Sequence, residues 1–320
     1  MSNSARELFF DLIHSIGHGG QADVYLARLR LMGGHFACKM LREDWDPYAR
    51  EQFRLEGLRQ HRVAGDHVVR VIAHDFDAPK PFIILEYMPK GSLADEIARR
   101  GRFPLADALK TAHRIAVALA DLHHKGVVHR DLKPGNVMLS SDGGLKLNDL
   151  GLAATLDLSQ HVRAPGFVGT PAYAAPEQML GLASAKSDVY ALGVILEELL
   201  LGVLGAASRV LAAEVPMDVR ILIARLRAQD ATQRPTSAEA VSLLVQAIRL
   251  SRATSAAPII LPRPLAVAPV AAQNGSGGFW GVLAGAATIF GLAALASGGG
   301  KRWDAASGRY RWPDGTFAPD

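Results

Sequence analysis

A single cysteine, Cys38, supplies all the thiol in 320 residues. One cysteine cannot close an internal disulfide, so a disulfide-stapled scaffold is excluded and a reducing compartment fits. A stripe of cations interleaved with aromatics is also missing. The 35 Lys and Arg residues are scattered among 31 Asp and Glu, and aromatics make up 7% of the chain. A net charge of +4 spread in this way gives no footprint for nucleic acid. The opening, MSNSARELFF, has no basic segment leading into an apolar run, so no cleaved signal is expected. One near-motif is incomplete. IGHGGQADVY, residues 16–25, stops one glycine short of Gly-x-Gly-x-x-Gly, with Ala22 in the third place. Such a cluster marks either a tight hairpin or a close approach to a phosphate, and alone it does not choose.

What is present in quantity is apolar: 49% of residues, with the excess gathered toward one end. FDLIHSI, ADVYLARL and HFACKML read as strands separated by glycine turns. A charged stretch from about Pro47 to Ala64, with Phe53, Leu55 and Leu58, reads as an amphipathic helix. HVVRVIAHDF and PFIILEYM are two further strands, after which Ser92 is an N-cap candidate for LADEIARR. A long helix from about Leu105 to Lys125 is ended by Gly126, and the chain is then mainly helical to about residue 250. A strand-rich first third followed by helices predicts an α+β fold of two lobes with a cleft between them.

The most specific stretch is HRDLKPGN, residues 129–136. It brings an Asp, a Lys and an Asn into one loop. An Asp can hold a hydroxyl and accept its proton, a Lys can neutralise a migrating phosphoryl group, and an Asn can bind Mg²⁺ through its carbonyl oxygen. On this octet, with Asp149-Leu150-Gly151, Lys39 in FACKM and GTPAYAAPE at 169–177, the chain resembles the bacterial, eukaryotic-like serine/threonine protein kinases. The resemblance covers about 9–250, with an N-lobe to about residue 88 and a C-lobe from 89.

It implies ATP and Mg²⁺ as cofactors, with Mn²⁺ as an alternative ion, and proteins with Ser/Thr acceptors as substrates. Asp131 is implied to position the acceptor hydroxyl, Lys133 to meet the γ-phosphate, and Thr170 to bridge the two. Asn136 and Asp149 are the implied metal ligands. Read alone, Lys39 is a strand-end lysine and Asp149 a turn former. The resemblance instead puts Lys39 on the α- and β-phosphates, paired with Glu56 (Glu51 the runner-up). Gly17, Gly19 and Gly20 would lie over the phosphates, with Val24 and Ala37 beside the nucleotide. Leu85 would back the adenine pocket, whose edge would meet the backbone of Glu86 and Met88. Glu177 is implied to pair with Arg234, and Asp188 to brace the catalytic loop. Leu150 replaces the family's phenylalanine. Arg130 suggests a phosphate-controlled loop, yet no Ser or Thr lies between Gln160 and Gly169, which leaves Thr155 and Ser159. The stretch 201–216 is shorter than the family's usual substrate-docking region there.

Residues 251–278, rich in Pro, Ala and Gly, read as a linker. FWGVLAGAATIFGLAALAS, 279–297, carries no charge and is close to the length of a membrane span. Its Gly281 and Gly285 have the spacing that lets two such helices dimerise. The expected location is therefore the cell membrane, single-pass, with the kinase domain in the cytoplasm, or the cytoplasm if the segment is merely apolar. Lys301 and Arg302, directly after the segment, oppose that orientation. The tail 298–320 has turn signals between aromatics and suggests a small hairpin. Two rivals remain at this point: a pseudokinase scaffold, and a small-molecule phosphotransferase of related fold.

Overall fold

A computed structural model describes residues 10–19, 21–30, 33–42, 47–150, 154–155, 162–163, 169–204, 215–256, 302–304 and 309–311. Its two compact units are residues 1–259 and 260–320. The 279–297 segment, Gly20, Ser159, Gly281 and Gly285 lie outside the described residues. Among the described residues no helix is long and apolar enough to cross a membrane.

The first unit begins with five strands: β1 (Phe10–His18), β2 (Ala22–Leu29), β3 (His35–Leu41), β4 (Val71–Asp75) and β5 (Phe82–Glu86). They form one antiparallel sheet in the order β1-β2-β3-β5-β4. Alternation along β3 divides its residues between two faces. Cys38 joins Ala27 and Ile84 on one face, where burial pushes its thiol up to about 12 and keeps it unreactive. Ala37 and Leu41 join Ala22, Val71, Ile83 and Leu85 on the other. Lys39, two residues from each, shares that second face.

Helix α1 (Pro47–Arg62) covers this face. Its buried residues are Ala49, Phe53, Glu56, Gly57 and Gln60, a spacing that makes one stripe along the helix. Gly57 is required for the approach, because a Cβ there would lie 2.9 Å from Ile83 Cδ1 and Phe76 Cζ. Residues 67–70, expected to be strand, are not part of β4. Their backbone is used elsewhere: Leu147 N–H donates to His67 O at 2.8 Å and Val69 N–H donates to Leu147 O at 2.9 Å.

Beyond β5 the unit is helical. Helix α2 (Leu93–Arg100) is capped by Ser92, whose side chain accepts from Asp95 N–H while Asp95 accepts from Ser92 N–H. Helix α3 (Leu105–His124) is the centre of the lobe, with Leu109, Ile115, Leu119 and Leu122 wholly buried. After α3 come β6 (Val127–Val128), β7 (Val137–Leu139), β8 (Leu145–Leu147), β9 (Ala154–Thr155), β10 (Val162–Arg163) and β11 (Leu182–Ala183). Helices α4 (Ala185–Leu201), α5 (Met217–Leu226) and α6 (Ser237–Ala256) follow. α4 is buried nearly all round, as befits a core helix. α6 runs to Ala256, so the linker expected from 251 starts later. Nothing in SRATSA stops a helix, and the first proline after it is Pro258. In the second unit, β12 (Arg302–Asp304) and β13 (Arg309–Arg311) pair antiparallel as a small hairpin.

One buried ion pair ties the helical lobe together. Arg234, 1% exposed, donates to both oxygens of Glu177 at 2.7 and 2.8 Å and to the carbonyls of Ala228, Lys186 and Gln229. Ser187 Oγ also donates to Glu177, at 2.7 Å. Removing one partner strands the other charge. Glu177→Ala is therefore expected to lower unfolding free energy by about 3–5 kcal/mol, read as a shift in urea midpoint; a loss under about 1 kcal/mol would show the pair to be a surface-like contact.

Candidate active site

The site is built where α3 ends. Gly126, with φ +72°, turns the chain into β6, and His129-Arg130-Asp131 follows. Arg130 has φ +70°, a conformation that costs a non-glycine residue about 1 kcal/mol or more. Asp188, in the first turn of α4, fixes this loop by accepting from His129 N–H at 2.8 Å and Arg130 N–H at 2.9 Å. His123 Nε2 lies 2.8 Å from the same carboxylate, with its Nδ1 2.9 Å from Ser237 Oγ. Gln178 donates to Arg130 O at 2.9 Å, so the strained residue is held from both sides.

Asp131 then stands in a compact polar group. Lys133 Nζ donates to its Oδ2 at 2.7 Å and to Thr170 Oγ1 at 2.9 Å, and the Thr170 hydroxyl donates to Asp131 Oδ1 at 2.8 Å. Asn136, 5% exposed, donates from Nδ2 to Asp131 O at 2.8 Å and to Oδ2 at 3.2 Å. With its nitrogen committed in this way, Asn136 offers its carbonyl oxygen outward.

The second part of the site joins the sheet to α1 and β8. Lys39 Nζ donates to Glu56 Oε1 and lies 3.6 Å from Asp149 Oδ1. Burial by itself would lower the Lys39 pKa, but Glu56 and Asp149 outweigh it and hold the ammonium above the usual lysine range. Burial raises the Glu56 carboxyl against the pull of Lys39. Glu51, the alternative partner, faces solvent and pairs with Arg54. Asp149 has φ +62°, and Leu150 after it is fully buried in the core. Asn136 and Asp149 are both hard oxygen donors, and a Mg²⁺ ion suits such a pair together with phosphate oxygens.

An apolar cluster of the sheet holds the residues expected beside the nucleotide. Val24, Ala37, Leu85 and Met88 belong to one cluster, and Met138 from β7 packs against it. Met138 carries no chemical signature in the sequence and was not anticipated. Glu86 N–H already donates to Arg70 O at 3.0 Å, so a nucleotide edge meeting Glu86 would use its carbonyl. The Glu86 side chain is engaged by Arg70 N–H and Lys146 Nζ. In the β1–β2 turn, Gly19 N–H donates to Ala22 O at 2.9 Å, and a Cβ on Gly19 would sit 2.9 Å from the same oxygen. Gly17 is less constrained, its nearest neighbour being Val24 Cβ at 3.7 Å. Ala22 is 3% exposed and opens β2. In the segment after Leu150, Thr155 lies opposite Val127.

The protein kinase domain family matches residues 10–253. This chain belongs to that family. It is similar to the serine/threonine-protein kinase PrkC of Bacillus subtilis, 31% identical over 72% of this chain and 39% of that one. Against the serine/threonine-protein kinase PknA of Corynebacterium glutamicum it is 34% identical over 58% of this chain and 42% of that one. The kinase PknB of Mycobacterium leprae is also 34% identical, over 60% and 32%. The chain thus spans less than half the length of these curated relatives.

The bracing carboxylate gives this kinase domain a pH signature. Burial would raise Asp188, but His123 and the backbone N–H of His129 outweigh it and leave its pKa below the ordinary carboxylate value. A depressed folded pKa gives stability above the unfolded pKa of about 3.9 that is lost as pH falls through the lower folded value. Asp188→Asn is expected to be much less stable than the parent at pH 7, with the gap narrowing steadily below about pH 4. Urea unfolding of both proteins across that range reads the gap, and a constant gap would refute this role.

Proposed function

We propose that this chain is an ATP- and Mg²⁺-dependent serine/threonine protein kinase that phosphorylates hydroxyls on proteins. The observation that carries the reading is the hydrogen-bonded group Asp131–Lys133–Thr170–Asn136 set beside the Lys39–Glu56 pair and Asp149. Lys39 would bind the α- and β-phosphates, and Asn136 and Asp149 would hold the metal, which would supply positive charge to offset that of the phosphates. The Asp131 carboxylate orients the acceptor hydroxyl. The hydroxyl oxygen bonds to the γ-phosphorus, the bond to the β,γ-bridging oxygen breaks, ADP departs with that electron pair, and the hydroxyl proton passes to Asp131. Lys133, one hydrogen bond from both Asp131 and Thr170, offsets negative charge on the moving phosphoryl group. Thr170 holds the loop that would receive a serine or threonine. Catalysis is therefore mostly positioning and charge neutralisation.

Asp131→Asn keeps the shape and loses the acceptor charge. Its kcat on a serine peptide is expected to fall by about 10²–10⁴, with ATP affinity changed less than about threefold. Equal phosphate incorporation by the two proteins would defeat the enzyme reading in favour of a nucleotide-binding scaffold. In the glycine turn, the buried Ala22 methyl stiffens the loop over the phosphates without obstructing it. Ala22→Gly is expected to change ATP affinity by less than about threefold, and a gain beyond tenfold would show the turn to be impaired.

We also propose that residues 279–297 tether the kinase to the cell membrane, with the catalytic domain in the cytoplasm where ATP is found. The uncharged length of the segment supports this, and Gly281 and Gly285 have the spacing that would let two such helices approach in a homodimer. After carbonate washing the full chain is expected to stay with the membranes, and release into the supernatant would overturn the tether.

A further inference from the structure

We propose that Lys146 is a positioning residue for the nucleotide base, acting through Glu86. Lys146 is the middle residue of β8, and the leucines on either side of it are buried in the core of the helical lobe. Alternation turns its side chain the other way. Its partner across the β7–β8 ladder is Met138, and residues opposite each other on a ladder share a face. Met138 packs against the cluster of Val24, Ala37, Leu85 and Met88. The lysine therefore comes out beside the apolar cluster expected to receive the base. An apolar side chain would cover that face without the cost of desolvating an ammonium.

The lysine has a partner instead. Its Nζ donates to Glu86 Oε1 at 2.6 Å. The two side chains are only 23% and 19% exposed, so solvent screens this pair less than one on the open surface. The same oxygen accepts from Arg70 N–H at 2.7 Å, and Glu86 N–H donates to Arg70 O at 3.0 Å. Arg70 follows Val69, whose N–H donates to Leu147 O at 2.9 Å. A closed ring results. It runs from Glu86 to Arg70, along the chain to Val69, across to Leu147, along the chain to Lys146, and back to Glu86. β8 thus reaches the end of β5 by two routes, one through backbone and one through charge.

Glu86 is held in this ring by its N–H and by its carboxylate, which together fix the Cα from which its carbonyl departs. That carbonyl is the group a base edge would meet at Glu86, since the N–H is already engaged. Without Lys146 the carboxylate keeps a single donor among the described residues, the Arg70 N–H. Among the described residues the Lys146 ammonium is bonded to Glu86 alone, and to no residue assigned to the phosphates or the metal. Its removal therefore weakens nucleotide binding and leaves the chemical step as it is. This consequence rests on the kinase reading, whereas the ring itself does not.

In a peptide phosphorylation assay with the full chain, Lys146→Met is expected to raise KM for ATP about tenfold, the size of one charge-assisted hydrogen bond. Its kcat at saturating ATP stays within about twofold of the parent. Lys146→Arg keeps the charge and is expected to bring KM back to within about threefold. Lys146→Gln serves if the methionine variant does not fold. By calorimetry, ADP and adenosine are expected to lose affinity for Lys146→Met by the same factor of about ten, because the ring acts at the base and not at the phosphates. Lys110→Met, which removes an exposed lysine paired with Asp107 on α3, stays within about twofold throughout. Without nucleotide, hydrogen–deuterium exchange in Lys146→Met is expected to speed about threefold or more over 68–72 and 84–88, while 49–60 keeps the parental rate. An unchanged KM, a fall in kcat in its place, a loss of affinity confined to ADP, or unchanged exchange over 68–72 and 84–88 would each overturn the proposal. A parent that binds neither ADP nor adenosine would overturn it together with the kinase reading. A parent that binds ADP but phosphorylates nothing would refute that reading alone, and the binding and exchange comparisons would still decide the role of Lys146.

Discussion

The catalytic loop depends on a carboxylate that never meets water. Asp188 is 1% exposed and accepts two consecutive backbone N–H groups across a residue whose backbone is left-handed. A carboxylate taken out of water costs several kcal/mol unless donors replace its hydration, so this group tolerates no other loop geometry. His123, Ser237 and the first turn of α4 fix the carboxylate in turn. The position of Asp131 thus derives from the rigid helical lobe: α3 supplies His123, α4 supplies Asp188, and the loop closes between them. Asp131 is thus braced by residues buried within the helical lobe.

Lys39 and Glu56 stand on different footing. Lys39 comes from the sheet and Glu56 from α1, and their charges neutralise each other in a buried setting. Such a pair adds little net stability, because the Coulomb attraction is offset by desolvation. What it does is discriminate: α1 in any other position leaves the buried Glu56 carboxylate without its partner and Lys39 with Asp149 alone. Selection of one helix position is more useful here than tighter packing, and it explains why the covered face of α1 carries both a glutamate and a glutamine. Gly57 lies between them, where the helix presses against Ile83 and Phe76. The helix can approach closely, but only polar contacts specify how far along it sits.

These two footings determine how much could be read from the sequence. Strands β2 and β3 were legible to the residue, since alternation and glycine turns set their ends. Asp131, Lys133, Asn136 and Thr170 were legible because chemistry needs those side chains, and the family's order of motifs distinguished them from ordinary turn residues. The composition of residues 67–70 suits a strand continuous with β4, but His67 and Val69 bond to Leu147, a partner far along the chain that local pattern cannot reveal. The end of α6 was placed early because the change in composition near Ser251 is a weaker stop than the proline at 258. Met138, His123 and Gln60 went unnoticed for one shared reason. Each gains its role from a neighbour remote in sequence, and a lone methionine, histidine or glutamine in a helix or strand looks like any other.

The two left-handed backbones, at Arg130 and Asp149, make the division concrete. Each is strained by about 1–3 kcal/mol and persists only where its neighbours leave no alternative. Around Arg130 the restraints come from Asp188 and Gln178, both in the helical lobe, so that strain is permanent. Asp149 follows Asn148, which is held by Asn136 and His129 on one side and by Gln60 of α1 on the other. One of these contacts comes from α1, the helix that also carries Glu56. A loop with permanent strain suits the group that must always be ready to orient a hydroxyl. The loop at Asp149 draws its contacts from more than one part of the chain, since the sheet reaches it too, through Lys39 Nζ at 3.6 Å from Asp149 Oδ1.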